Sequence, residues 1–188
     1  MTHFVCLLEE ESAKALLAVV LPRILPKAVA PFYIVFEGKQ DLEKQLVRKI
    51  RNWQNPDSVF LVMRDQDSSV CTEVKERLNR LCRETGKHPI LVRIACRELE
   101  SFYFGDLSAV EKGLCITNLS RSAVKAKYRV PDEIVNPSDE LEKLTCGKYQ
   151  HISGSRSIAP HLSLTRNTSK SFNALVTGIQ RFFPKETQ

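Results

Sequence analysis

The stretch Val59–Asp67 has the sequence VFLVMRDQD, an apolar run that leads directly into two aspartates separated by one residue. A short apolar run of this kind is typical of a buried strand. A second run, Phe4–Leu8, is followed by Glu9. Carboxylates that converge from two strand ends repel one another unless a cation lies between them. Because Mg²⁺ prefers oxygen ligands, the pattern predicts a Mg²⁺ (or Mn²⁺) site formed by Glu9, Asp65 and Asp67.

The first half of the chain alternates between strand and helix patterns. Strands are predicted at 4–8, 32–36, 58–63 and 90–95, and helices at 13–25, 41–53 and 70–84. This order predicts an α/β fold with a mostly parallel four-stranded sheet covered by helices on both faces. Ligands of such sheets bind at the edge where the loops after the strands lie. The three acids can meet there only if the first and third strands are neighbours.

The alternation ends after Ala95. Short helices are predicted at 107–112, 122–127, 138–145 and 157–162, and an amphipathic helix at 170–183. We therefore expect an α/β core over residues 1–106. A helical, loop-rich extension over residues 107–188 is expected to pack on this core and form one compact unit with it.

Two further acids, Glu98 and Glu100, follow the fourth predicted strand. In one interpretation they are a surface pair that balances Arg93 and Arg97. In the other, which we favour, Glu100 is an additional metal ligand or orients a water molecule, because the segment leaves the same edge of the sheet. The Asp65–Asp67 pair also has an alternative role, since acids after a strand often cap the next helix.

The distribution of charge indicates an anionic partner. The net charge is +6, and residues 143–170 contain no Asp or Glu although the chain has 22 acids. A basic surface of this kind favours nucleic acid, DNA or RNA. The predicted phosphate contacts are Lys148, Ser155, Arg156, Ser169, Lys170 and Ser171. For Ser169–Ser171 the alternative is an N-cap of the last helix.

The composition also indicates where the protein is found. No window is apolar enough to predict a membrane span, and the first residues do not resemble a signal peptide. The six cysteines are scattered, with no Cys-x-x-Cys pair. These features predict a cytoplasmic protein with reduced thiols and no membrane partner.

Two groups of motifs resemble a known family. Leu7–Ala13 and Met63–Asp67 resemble the Toprim pattern of topoisomerases, primases and overcoming-lysogeny-defect (OLD) nucleases. The segments 97–106, 154–160 and 169–172 resemble, more specifically, a small bacterial Toprim-like family of uncharacterised proteins. The resemblance covers nearly the whole chain.

This resemblance implies a Rossmann-like Toprim fold and genes that often lie beside an ABC- or SMC-like ATPase, in arrangements associated with phage defence. It also implies that Glu9 is the general acid/base and that Asp65 and Asp67 are Mg²⁺ ligands. One position departs from the classical pattern, because the glycine that commonly follows the glutamate is Glu10 here. This departure argues against a topoisomerase or primase role.

We therefore expect a Mg²⁺-dependent nuclease that hydrolyses phosphodiesters with Glu9, Asp65, Asp67 and Glu100. In this hypothesis Asp65 and Asp67 hold the metal, and Glu9 binds a second ion or relays the proton of the attacking water. The main alternative is a non-catalytic subunit that binds nucleic acid or an ATPase, through a last helix carrying Phe182 and Phe183. A receiver-like domain is a further alternative, but no fifth strand ending in lysine is evident.

Overall fold

The computed structural model describes residues 1–184, and four residues of the predicted extension, 185–188, lie outside this range. The strands are β1 (Thr2–Leu8), β2 (Val29–Val35), β3 (Ser58–Asp65) and β4 (Ile90–Ala95). The helices are α1 (Glu11–Val20), α2 (Lys39–Arg51), α3 (Cys71–Glu84), α4 (Ser101–Phe104), α5 (Leu107–Leu114), α6 (Ser122–Lys127), α7 (Pro137–Leu144), α8 (His151–Ile158) and α9 (Lys170–Phe182). Single 3₁₀ turns occupy Leu21–Arg23, Pro131–Glu133 and Ala159–His161.

The four strands form one parallel sheet in the order β2-β1-β3-β4. The first and third strands are therefore neighbours, with Leu8 paired to Met63. Parallel strands connected by helices bury both faces of a sheet, which explains the continuous apolar runs Phe4–Leu8 in β1 and Val59–Met63 in β3. The α/β prediction is confirmed.

Two hydrophobic clusters cover the two faces of the sheet. One contains the apolar stripes of α2 and α3, including Leu46 and Leu78. The larger one contains residues of α1, α4, α5, α8 and α9, including Leu16, Phe102 and Ile179. This larger cluster joins side chains from before and after residue 106, while the division into 1–106 and 107–188 stays a prediction.

Local sequence decides where several helices end. The predicted helix 13–25 is shorter in the structure, because α1 ends at Val20 and Pro22 lies in the 3₁₀ turn that follows. Proline lacks the amide hydrogen that an α-helix needs and clashes with the preceding turn. The prediction for 157–162 missed most of α8, whose Gly154 packs against the ring of Tyr149. Glycine and serine have weak helix propensity, so this helix depends on its packing.

Two further findings concern the described residues as a set. No helix within residues 1–184 is both long enough and apolar enough to cross a membrane. All six cysteines are free thiols, and two of them, Cys6 and Cys82, are buried.

Candidate active site

Glu9 and Asp65 lie side by side at the carboxyl edge of the sheet. Asp65 is the last residue of β3, and Glu9 directly follows the neighbouring strand β1. The backbone amide of Asp65 donates a hydrogen bond to Oε2 of Glu9 at 3.0 Å. The amide of Glu9 in turn donates to the carbonyl of Met63 at 3.3 Å. The two strand ends therefore hold these acids together, as the order of the strands requires.

Asp67 lies two residues beyond the end of β3. Its backbone is left-handed, with φ of 57°, a conformation that aspartate tolerates better than most residues. Its Oδ2 lies 2.8 Å from Nζ of Lys39 and 3.1 Å from Nη2 of Arg64. Its amide donates to the carbonyl of Arg97 at 2.7 Å and so ties the loop after β3 to the loop after β4. Two cations therefore neutralise Asp67.

Arg64 is a buried cation that links several acids at this edge. Its side chain is 1% exposed, and Nη1 lies 2.8 Å from Oε1 of Glu43 on α2. Nε lies 3.7 Å from Oε2 of Glu9 and donates to the carbonyl of Asp65 at 2.8 Å. A buried charge is costly unless it is paired, and the guanidinium offers several donors in a fixed plane. The contacts to Glu43, Glu9 and Asp67 therefore explain how Arg64 can be buried.

Glu100 enters the site from the segment after β4. It directly precedes α4 and is 2% exposed, so the surface-pair interpretation does not describe it. Its Oε1 accepts a hydrogen bond from the hydroxyl of Tyr149 at 2.6 Å and lies 3.2 Å from Nδ1 of His151. No lysine or arginine within residues 1–184 forms an ion pair with it.

The electrostatic environment of Asp65 differs from that of Asp67. Burial raises the pKa of Asp65 well above its ordinary value, and the charges of Glu100, Glu10 and Glu9 raise it further. In the part of the chain that the structure describes, the Asp65 carboxylate has no ion pair with a basic side chain. Mutual repulsion among carboxylates is relieved by a proton or by a cation. Asp65 is therefore the acid at this edge that most needs a bound proton or a bound cation.

Other ionisable side chains at this edge of the sheet also have shifted pKa values. Burial raises the pKa of Glu9, while the hydrogen bond from the Asp65 amide and the charge of Arg64 oppose the rise. Burial likewise raises the pKa of Glu98, whose Oε2 accepts a hydrogen bond from the amide of Ser138 at 2.8 Å. The hydrogen bond to Glu100 raises the pKa of His151. Shifted titrations clustered in one place are typical of functional sites.

The helix-cap alternative for the aspartate pair can be tested directly. The residue before α3 is Val70, and no side chain caps this helix. That alternative is therefore wrong for both Asp65 and Asp67.

The turn after β1 accommodates glutamate at position 10, where the classical Toprim pattern has glycine. The backbone of Glu10 is extended, with φ of −149°, and therefore does not require glycine.

The carboxylate groups at this edge are of the type that binds a hard divalent cation. Asp65, Glu9 and Glu100 supply carboxylate oxygens, which Mg²⁺ and Mn²⁺ prefer, and their charges raise the pKa of Asp65. In their present positions, no three His, Cys, Asp or Glu side chains of residues 1–184 form a ligating group. A metal would compete with Arg64 for Glu9, and with Lys39 and Arg64 for Asp67.

The predicted nucleic-acid contacts fall into two classes. Lys148, Arg156 and Lys170 are exposed. The three serines are buried and have partners inside the protein. Ser155 accepts a hydrogen bond from the hydroxyl of Tyr103 at 2.6 Å.

Ser169 and Ser171 belong to the start of α9. The Ser169 hydroxyl accepts from the amide of Phe172 at 3.1 Å, which confirms the N-cap alternative. The carboxylate of Asp132 accepts from the Ser169 hydroxyl at 2.7 Å and from the Ser171 amide at 2.8 Å. The negative charge at the N-terminus of α9 is therefore supplied by the protein itself.

Several site residues were not predicted from sequence. Arg64 carried a signal, since a charged residue inside an apolar strand must find partners. Glu43 and Lys39 lie on α2, and only the position of that helix beside β3 brings them to the site. Tyr149 and His151 follow Glu100 by about fifty positions and reach it through α8 packing, for which the sequence offers no local signal.

Comparisons with known proteins agree with this architecture. Residues 8–180 match the family described as a domain of unknown function, DUF4276. A solved structure, the C-terminal region of the Burkholderia pseudomallei OLD protein, superposes with a TM-score of 0.57 over 95% of this chain and 97% of that one. The two sequences are 13% identical, so this likeness shows the fold alone. No curated protein matches the sequence.

The predicted relationship to OLD proteins is thus confirmed at the level of the fold. The family match extends from the end of β1 into α9, and it includes Glu9, Asp65, Asp67 and Glu100. Because it covers most of the chain, we conclude that this protein belongs to the DUF4276 family.

Proposed function

We propose that the protein is a metal-dependent nuclease that hydrolyses phosphodiester bonds at the carboxyl edge of its sheet. The observation that carries the proposal is geometric: Asp65 and the buried Glu100 lie at this edge beside Glu9, and neither has a lysine or arginine partner within residues 1–184. The raised pKa of Asp65 agrees with this arrangement. Carboxylates that repel one another at the ligand-binding edge of a parallel sheet form an arrangement that a divalent cation stabilises.

The acids have distinct proposed roles. Asp65, Asp67 and Glu100 are the metal ligands, and Glu9 is the general acid/base or a ligand of a second ion. Bound Mg²⁺ or Mn²⁺ would polarise the scissile phosphate and lower the pKa of the attacking water. Oε2 of Glu9 is held by the Asp65 amide, which leaves Oε1 to accept the proton of that water. The raised pKa of Glu9 suits proton exchange closer to neutral pH than an ordinary glutamate allows.

The hydrogen bonds around Glu100 fix its position. Tyr149 and His151 both contact Oε1, and Tyr103 supports the same region through its hydrogen bond to Ser155. Side chains that are held in place by such bonds lose little entropy when they bind a metal. Tyr149 and His151 are thus proposed as positioning residues for Glu100.

Lys148, Arg156 and Lys170 are proposed to contact the phosphates of the nucleic-acid strand. They are exposed and lie in the acid-free segment 143–170. Ser155, Ser169 and Ser171 are proposed to support this surface from within, since each already has a partner inside the protein. Phosphate contacts of this type position a strand without selecting its sequence.

The test is hydrolysis of labelled single- and double-stranded DNA and RNA with Mg²⁺ or Mn²⁺. The variant Asp65→Asn removes one carboxylate charge at the carboxyl end of β3. The matched control is Asp57→Asn, which removes the same charge beside the opposite end of β3, where Asp57 accepts a hydrogen bond from Thr2.

We expect Asp65→Asn to lower the rate by about 100-fold or more, because one catalytic group typically contributes a factor of this order. Asp57→Asn should retain the wild-type rate. Equal activity of all three proteins would contradict the proposal. Metal binding without hydrolysis of any substrate would instead favour a subunit that only binds nucleic acid.

The resemblance to small Toprim-like bacterial proteins supports a further part of the proposal. We propose that the protein acts in the cytoplasm with an ABC- or SMC-like ATPase and that the pair contributes to phage defence. The test is co-expression with a candidate ABC- or SMC-like ATPase from the same genome, followed by co-purification and by nuclease assays with and without ATP. Hydrolysis that requires both proteins would support this part.

A further inference from the structure

A second cleft lies apart from the carboxylates. It has a volume of about 510 Å³, within the range typical of small-molecule sites. The basic residues that line it come from four parts of the chain. They are Lys112, Lys125, Arg129, His161 and Arg166. We refer to the cavity that they line as the basic cleft. None of them belongs to the carboxylate site or to the predicted nucleic-acid contacts.

The lysines and arginines of the basic cleft have no acidic partners among the residues that the structure describes. Within residues 1–184, none of Lys112, Lys125, Arg129 and Arg166 forms an ion pair or donates a side-chain hydrogen bond to an acid. Lys127 in the same region is different, because its Nζ lies 2.7 Å from Oε1 of Glu140. Four lysine and arginine side chains and one aspartate, Asp106, line the cavity, which therefore carries an excess of positive charge.

One acid lines the cleft, and its hydrogen-bonding capacity is used by the backbone. Asp106 accepts hydrogen bonds from the amide of Ala109 at 3.2 Å and from the amide of Ser163 at 2.8 Å. These bonds join the start of α5 to the loop before α9 and so help to shape the cleft. The carboxylate is therefore a structural part of the wall and leaves the four cations available for a ligand.

The floor of the cleft is built rigidly. The rings of Phe104 and Tyr128 pack with their centroids 4.6 Å apart, and both residues are buried. The Tyr128 hydroxyl donates to Oε1 of Glu140 at 2.6 Å, which fixes the segment that carries Lys125 and Arg129. The lysine and arginine side chains that line the cleft are exposed. A cavity with a packed aromatic wall and exposed cationic side chains suits a compact anion.

We propose that the basic cleft binds the phosphate groups of a nucleotide-sized ligand, at a site separate from the carboxylate edge. Lysine and arginine are the residues that bind phosphate through charge-assisted hydrogen bonds. The ligand is either a free nucleoside polyphosphate or a nucleotide unit of a nucleic-acid strand. Binding does not depend on the metal, so the proposal stands or falls independently of the nuclease activity.

The test is binding in the presence of EDTA, measured separately with fluorescently labelled ATP and with a short labelled oligonucleotide. The variant is Arg129→Glu/Arg166→Glu, which reverses two charges of the cleft. The matched control is Lys49→Glu/Lys75→Glu. It makes the same change in net charge on α2 and α3, whose apolar residues pack on the other face of the sheet. All four positions are exposed, and melting curves verify that both variants are folded.

We expect the cleft variant to bind at least one probe about tenfold or more weakly than the control, because two charge-assisted contacts are lost. An effect on ATP alone identifies a free nucleotide as the ligand, and an effect on the oligonucleotide alone identifies a strand. Equal affinities in cleft variant and control, for both probes, would overturn the proposal. Loss of nuclease activity in Asp65→Asn with unchanged ATP or oligonucleotide binding would confirm that the two sites are separate.

Discussion

The acids at the carboxyl edge of the sheet form two groups that differ in what neutralises them. Glu43 and Asp67 contact the guanidinium of Arg64, and Asp67 also contacts Lys39. Asp65 and Glu100 lie at the same edge, where residues 1–184 supply neither of them with a lysine or arginine partner. The first group is a completed ion-pair network, whereas the second is a cluster whose charges repel.

The two groups of acids are expected to contribute differently to stability and to function. The Arg64 network holds α2, β3 and the following loop together. An incomplete cluster costs folding free energy, and such a cost persists where a ligand uses it. We therefore infer that Arg64 chiefly stabilises this edge and holds Glu9 and Asp67 in place. Asp65 and Glu100 are the proposed ligands that most need a cation.

The largest effect on stability should come from Arg64→Met. This change leaves Glu43 and Asp67 at the edge of the buried site without their shared cation. Glu43 would keep Arg77 and Asp67 would keep Lys39, whereas Glu9 would lose its cation. We expect the free energy of unfolding to fall by about 2–3 kcal/mol, less than for a fully buried pair, because the acids left behind are partly exposed. Urea unfolding measures this loss. Arg64→Lys is the matched control, and it should recover part of the loss because it keeps the charge without the planar fork.

A smaller effect is expected for Tyr149→Phe on the other side of the site. The change removes the hydroxyl that donates to Oε1 of Glu100 and leaves the ring in place. The cost should be about 1–2 kcal/mol, the value for one lost hydrogen bond to a charged group, because Oε1 keeps its contact with His151. The same variant should bind Mn²⁺ more weakly if Tyr149 positions Glu100. Unchanged metal affinity would show that the hydroxyl contributes to packing and stability alone.

Asp65→Asn should stabilise the metal-free protein, whereas the preceding two changes destabilise it. The pKa of Asp65 is raised in the folded state, so the folded protein binds this proton more tightly than the unfolded chain. Stability is therefore lost as pH rises from the ordinary pKa towards the folded-state value. We expect Asp65→Asn to melt at a higher temperature than the wild type at neutral pH with EDTA. The difference should shrink towards about pH 4, where the unfolded carboxyl is also protonated.

The smallest effect should come from His151→Gln, since this imidazole is partly exposed. Glu100 raises the pKa of His151, so the pairing stabilises fully below the ordinary histidine pKa of about 6.5. This stabilisation is lost as pH rises through the folded-state value. The wild type should therefore melt above His151→Gln at about pH 6, and the gap should close in alkaline solution. A gap that is independent of pH would show that the charge of His151 does not matter.

Much of the fold could be predicted because the sequence alternates regularly between strand and helix patterns. That the first and third strands are neighbours follows from where Glu9 and Asp65 must lie if they are to meet, and the structure confirms it. Helices α2 and α3 have clear apolar stripes on one side. The irregular second half was predicted less well, because α8 contains glycine and serines and depends on tertiary packing.

The site was predictable only where its residues follow strands. Glu9, Asp65 and Glu100 could be named because each lies in the chain beside the carboxyl end of a strand. Arg64 could not be assigned its role, since its partners Glu43 and Asp67 are brought to it by separate elements. The burial of Ser155 was equally hidden, because it depends on Tyr103 more than fifty residues earlier.

Calorimetric titration with Mn²⁺ tests the central claim most directly. The proteins to compare are the wild type, Asp65→Asn and the control Asp57→Asn, each first freed of metal with EDTA and dialysed. We predict that the wild type and Asp57→Asn bind Mn²⁺ with the same affinity, with release of protons at the binding pH, and that Asp65→Asn does not bind it. Identical titrations for all three proteins would contradict the assignment of the Asp65 side as the metal site.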